Sequence, residues 1–155
     1  MRFPTLLLVC LLAIKSINAQ TDSLDIKIGQ MLMVGMPGTS ANDSSQIIKD
    51  IKSGKVGGIL LFEYNLNAVN TIKKLADLTS TLQNAAKIPL LISIDQEGGQ
   101  VNRLKTKYGF KAMPSAKTVG DSHSDEYATQ TSFTIANALQ LCGINLNYAP
   151  VLDIH

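Results

Sequence analysis

Short, uninterrupted apolar runs recur along this chain, each separated from the next by a segment with helical periodicity. LMVGMPG (residues 32–38), VGGILLF (56–62), LLISID (90–95) and INLNYAPVLDI (144–154) read as four strands. A strand with one wet face alternates apolar and polar residues. A run that is apolar throughout has to be covered on both faces, which is the situation of parallel strands in α/β proteins. The intervening segments read as helices. DSLDIKIGQML (22–32) offers Asp22 or Ser23 as N-cap and spaces Leu24, Ile28, Met31 and Leu32 along one side. SSQIIKDIKSG (44–54) stops at Gly54, the residue type that takes the left-handed position after many helices. NAVNTIKKLADLTSTLQNAAK (67–87) carries Val69, Ile72, Leu75, Leu78 and Leu82 on one side and is broken by Pro89. SDEYATQTSFTIANALQLCG (124–143) has Ser124 as cap and Gly143 as stop. The order predicts an α/β fold with right-handed crossovers. Two architectures fit: a doubly wound open sheet, or the first half, about four βα units, of a (β/α)8 TIM barrel, which takes about 250 residues when whole. The sequence stops at His155, directly after a strand, so a fragment or a truncated product is expected.

The N-terminus has a different character. Arg2 precedes an apolar stretch from Leu6 to Ile14, and the small residue Ala19 stands just before Gln20. This is the anatomy of a secretory signal peptide over residues 1–19, leaving 20–155 as the mature domain and an exported, periplasmic or extracellular product. The rival reading is an uncleaved anchor, but a spanning helix needs roughly 20 apolar residues. Cleavage removes Arg2 and Lys15, so Lys plus Arg falls from 14 to 12 and equals Asp plus Glu at 12. A chain without basic excess has no electrostatic footprint for nucleic acid or anionic lipid. Cleavage also removes Cys10. Cys142 is then without an internal disulfide partner and reads as a small buried hydrophobe.

In either architecture ligands bind at the C-terminal ends of the strands. Polar residues gather at those ends: Glu63 and Asn65 after the second strand, Asp95, Gln96 and Glu97 after the third, Asp153 and His155 after the fourth. Asp95 and Glu97 invite a glycosidase pair. Positions i and i+2 of an extended chain face the same way about 6–7 Å apart, however, and hydrolysis needs groups on opposite sides of the bond. Binding suits Asp95 better, because an ionised carboxylate accepts hydrogen bonds from neighbouring hydroxyls. Arg103 can complete the clamp as a donor. Glu97 reads as a loop support through an ion pair or cap. Gly98 and Gly99 lack the frame of a phosphate loop and read as a sharp backbone turn beside the ligand. A metal set of Asp95, Glu97, Asp153 and His155 is the competing reading, but no His-x-His or His-Glu-x-x-His spacing supports it, and His123 lies in a polar linker.

IDQEGGQVNRL (94–104) resembles the strand-three signature of glycoside hydrolase family 3, I-D-Q-E-G-G-R-V-x-R-[LF]. KIGQMLMVGMPG, VGGILLFEYN, MPSA and GINLNYAPVLDI are similar to further blocks of the same N-terminal barrel, in the same order, from about Leu24 to Ile154. The D-Q-E-G-G form resembles the β-N-acetylhexosaminidase branch more than the β-glucosidases of the family. The resemblance implies a barrel and a carbohydrate partner containing N-acetylglucosamine, and no cofactor. It implies that Asp95 and Arg103 bind the non-reducing sugar. Gln100 stands where the family has Arg, at a flanking contact, and His155 stands where Asn is common and takes no role. The family's nucleophile, an Asp on a later strand, and its acid/base His, in a K-H-F-P-G-H-G-like block, are expected beyond residue 155, so no catalytic residue is assigned within the chain. Retaining hydrolysis needs both groups, and the 155 residues alone are expected to be inactive. The alternatives are a non-catalytic sugar-binding remnant or a β-glucosidase.

Overall fold

The computed structural model describes residues 24–152. The leader, the candidate caps Asp22 and Ser23, and Asp153 and His155 lie outside the described residues. Helix α1 (Leu24–Gln30) leads into strand β1 (Met33–Gly35). Then follow α2 (Gln46–Lys52), β2 (Gly58–Leu61), a 3-10 turn (Glu63–Asn65), α3 (Thr71–Ala85) and β3 (Leu91–Ile94). A second 3-10 turn (Thr106–Tyr108), α4 (Ala116–Asp121), α5 (Asp125–Leu141) and β4 (Leu146–Asn147) complete the series.

All four strands are parallel, in the order β1-β2-β3-β4. Sheet order equals chain order, so every crossover steps the same way. A doubly wound sheet reverses direction at a switch point; a barrel does not. Burial agrees. Ile59, Leu61, Ile92 and Ile94 are 0% exposed and pack with Ile48, Ile51, Leu75, Leu78 and Leu82 from the helices. Of the strand positions of the other parity, Met33, Leu60 and Leu91 stay partly or largely exposed, Leu91 at 51%, while the small Gly58 and Ser93 are buried. Helices therefore cover one face only, where coverage of both faces is what the apolar runs predict. In a barrel the second face is the interior, filled by side chains of other strands, so its strands read as apolar throughout without a second helical layer. The sheet is the first half of a TIM-barrel-like fold.

Helix ends follow local chemistry. Ser124 Oγ accepts from Tyr127 N at 3.2 Å and caps α5, and Gly54 and Gly143 adopt positive φ after α2 and α5. Several expectations need correction. Val69 lies ahead of α3 and is exposed, and α3 ends at Ala85, before Pro89 acts. The predicted stripe of α1 is exposed at Leu24, Ile28, Met31 and Leu32, whereas Gly29 is buried against the backbone of Gly54 and Lys55. β4 is two residues long rather than the whole of INLNYAPVLDI: Pro150 has no N–H to donate to a ladder. α4 lies in what reads as a polar linker. Cys142 is buried, as expected, and burial pushes its thiol up to about 11.

Candidate active-site rim at the ends of strands 2 and 3

The chain leaves β3 through Asp95, Gln96 and Glu97, and the strand geometry stops at Ile94. An isolated antiparallel bridge pairs Gly98 with Val101, with Glu97 N donating to Val101 O at 2.9 Å. Gly98 and Gly99 both take left-handed φ values, +83° and +58°. A side chain at either would also run into the segment before α4. A Cβ at Gly98 would lie 2.1 Å from Pro114 O, and one at Gly99 would lie 2.6 Å from Ser115 Cβ. Two of the family-like sequence blocks, EGG and MPSA, thus meet in space.

This turn returns the chain so that Arg103 faces Asp95, with Nη2 to Oδ2 at 3.4 Å and both side chains a little over a quarter exposed. The contact is long and half-solvated, the kind of ion pair that contributes about 0–1 kcal/mol. It leaves Asp95 Oδ1 without a hydrogen bond from any described residue, and Arg103 Nε is buried without a partner. Arg103 also lines an open cleft of about 560 Å³ with Phe62, Glu63, Tyr64, Leu66 and Tyr108. The Phe62 and Tyr64 rings stack there at 5.3 Å, 15° from parallel. The cleft offers a planar donor and aromatic faces, and the Asp95 carboxylate stands next to that donor; together these groups can hold a polyhydroxylated ring.

Asp95 and Glu97 do not act as a facing pair. Asp95 is tied to Arg103, whereas Glu97 lines a separate cavity with Pro114, Val119, Ile135, Leu139 and Pro150. The extended geometry that would align them ends one residue before Asp95. Nor does the Glu97 side chain make an ion pair or cap among the described residues; its contribution to the turn is the backbone hydrogen bond to Val101. Among the described residues no group of three or more His, Cys, Asp or Glu comes together as a metal site would need. His123 sits at positive φ between α4 and α5.

Two features escape a reading of the sequence. Glu63 accepts from Lys105 Nζ at 2.5 Å, from Lys107 Nζ at 2.8 Å and from Tyr108 Oη at 3.1 Å. The Lys105 and then the Lys107 ammonium hold its carboxyl down to about 2 from the usual 4.5, and Lys107 is raised in turn. The ends of β2 and β3 are joined by this cluster. Gln96 is the second feature. It is fully buried and hydrogen-bonded at every polar atom. The signal for it was period two: Ile92 and Ile94 point into the helix-covered core, and Gln96 is next on that face. The sequence marks Glu63 as a strand-end residue but not its partners, which lie more than forty positions along the chain.

The family described as "Glycosyl hydrolase family 3 N terminal domain" matches residues 23–155. A β-hexosaminidase of Nitrosomonas eutropha is 32% identical over 129 residues, which is 79% of this chain and 35% of that protein. One from Bordetella avium is 36% identical over 105 residues, 64% of this chain and 29% of that protein. The chain thus spans about a third of the length of the curated relatives it matches. Among solved structures, a glycoside hydrolase family 3 β-N-acetylglucosaminidase from Paenibacillus sp. str. FPU-7 superposes with a TM-score of 0.74 at 39% identity, covering 85% of this chain and 24% of that one. NagZ from Neisseria gonorrhoeae in complex with N-trifluoroacetyl-D-glucosamine gives a TM-score of 0.67 at 28% identity, covering 79% of this chain and 37% of that one. With the matched residues and the superposed fold in agreement, this chain belongs to the glycosyl hydrolase family 3 N-terminal domain family.

Proposed function

We propose that this chain carries the sugar-gripping half of an exported β-N-acetylhexosaminidase, with Asp95 and Arg103 holding hydroxyls of a terminal β-linked N-acetylglucosamine. The observation that carries this is the Oδ1 of Asp95, which takes no hydrogen bond from a described residue, beside Arg103, which lines an aromatic-walled cleft. A carboxylate in this setting accepts from a hydroxyl while the guanidinium donates to the next oxygen, which fixes the ring without any covalent step. The similar proteins with β-hexosaminidase and β-N-acetylglucosaminidase names support the choice of sugar. The N-terminal leader supports export.

Retaining hydrolysis divides the work between a nucleophile and an acid/base group on opposite sides of the scissile bond. On this reading the described residues bind and orient, and those two groups belong to later strands. The test has two parts. A titration of the purified chain with N-acetylglucosamine, followed by NMR, is expected to show binding that Asp95→Ala weakens by about tenfold or more, since a hydrogen bond to a charged group contributes about 1.5–3 kcal/mol. A chromogenic β-N-acetylglucosaminide is expected to stay intact in the same preparation. Turnover above a protein-free blank, lost on Asp95→Ala, would overturn the division of labour.

A further inference from the structure

We propose that Gln96 is the positioning residue that sets Arg103 against Asp95; this rests on the reading of those two as the sugar grip. Arg103 is brought back to Asp95 by a loop with two adjacent glycines, and a 3.4 Å half-solvated contact is too weak to define that loop. What defines it is the carboxamide of Gln96. Its Oε1 accepts from Arg103 N at 3.0 Å and from Leu104 N at 2.8 Å. Its Nε2 donates to Asn102 Oδ1 at 2.7 Å and to Met113 Sδ at 2.8 Å. The backbone of Gln96 is fixed as well: its N–H donates to Asn147 Oδ1 at 2.9 Å, and its carbonyl accepts from Asn147 Nδ2 at 3.1 Å. The fully buried side chain thus joins the end of β3 to the segment carrying Arg103 and to the segment before α4, and the backbone of the same residue ties the edge strand β4. Asp95 is covalently next to this hub, so the separation of Asp95 and Arg103 is set through it.

The residue type follows from the arrangement. Glutamate keeps the acceptor and loses the donor, methionine of similar shape loses both, and asparagine is a carbon too short. Leu104, 0% exposed, anchors the same segment in the core, so its N–H has no water to turn to when the acceptor is removed.

The experiment compares the full chain with Gln96→Met and Gln96→Glu by amide hydrogen exchange and by N-acetylglucosamine titration. Gln96→Met is expected to accelerate exchange at Arg103 and Leu104 by at least about tenfold, with β2 and β3 protection unchanged. It is expected to weaken sugar binding by on the order of tenfold, the sensitivity typical of a misplaced binding group. Gln96→Glu is expected to lose less than Gln96→Met at the two amides, because the acceptor is back, but not to reach wild type, because it loses the donor to Asn102 and buries a charge. Wild-type exchange at Arg103 and Leu104 in Gln96→Met would overturn the assignment, as would equal losses in the two variants. If Gln96→Met does not fold, Asn102→Ala takes its place: faster exchange at Arg103 and Leu104 supports the assignment, and unchanged exchange there overturns it. Absence of sugar binding by the wild-type chain would sink the sugar reading alone, since exchange at these two amides still decides what Gln96 holds.

Discussion

One carboxylate at the rim is held by three partners. Glu63 faces Lys105, Lys107 and Tyr108, and Lys107 Nζ also sits 4.7 Å from the Tyr108 ring centre. Its carboxyl is depressed to about 2 from the usual 4.5 by the two ammonium groups, Lys105 first. A depressed acid contributes stability that is full above its unfolded value and fades as pH falls toward its folded value. For Glu63 that window runs from about 4.5 down to about 2. Comparing melting temperatures of the wild type and Glu63→Gln across pH therefore tests the cluster. The difference should be flat above the upper limit and shrink below it, more weakly at high salt because the lysines are solvated. A difference independent of pH would mean that the ion pairs contribute nothing to folding. Asp95 and Arg103 stand apart from this cluster, with an open carboxylate oxygen instead of a saturated one.

At the scale of elements, the site is a meeting of loops held by strands. The Gly98-Gly99 turn packs on residues 113–115, and Gly99 N donates to Met113 O at 3.0 Å. Ser115 then caps α4 by accepting from Thr118 N at 3.1 Å. A methyl group at residue 98 meets two penalties: a left-handed backbone, about 1–2 kcal/mol, and overlap with Pro114 O, for which overpacking costs about 1–3 kcal/mol. Gly98→Ala is expected to lower stability by about 2–5 kcal/mol in urea unfolding. A loss below about 1 kcal/mol would show that the turn and the α4 segment are not rigidly packed. On the other side of β3, Asn145 and Asn147 extend the short strand β4. Asn145 Oδ1 accepts from Ile92 N at 2.7 Å, and its Nδ2 donates to Leu90 O at 2.9 Å. Side-chain amides there pair with strand backbone that a longer β4 would otherwise satisfy.

Over the whole molecule, burial is concentrated at the two middle strands. β2 and β3 have neighbours on both sides and supply the fully buried Ile59, Leu61, Ile92 and Ile94, while β1 and β4 are edges of the described sheet. Native-state hydrogen exchange should rank amides of β2 and β3 slowest, β1 and β4 faster, and the exposed turns fastest. Equal protection of β1 and β2 would mean that the β1 edge is covered in solution. On this ranking the most protected strands are the two whose C-terminal ends carry the rim, so Asp95 and its neighbours are mounted on the stiffest part of the sheet.

The parallel α/β class, the βα order, the capping and stop residues of α5, and the strand end on which Asp95 stands are all legible in the amino-acid order alone. Those are local properties, written in apolar runs, helical spacing and residues with special backbone geometry. The family-like blocks singled out Asp95 and Arg103, which the structure places 3.4 Å apart. Periodicity left an open doubly wound sheet and a half barrel both standing, because strand order and the face left without helices are relations between distant segments; the family-like blocks implied the barrel, and the tertiary structure bore the barrel out. The tertiary structure alone separated Asp95 from Glu97, joined Glu63 to Lys105 and Lys107, and placed Gln96 at the centre of the loop. Each of those contacts depends on how the chain turns after β3, and a turn redirects side chains in a way that sequence spacing does not encode.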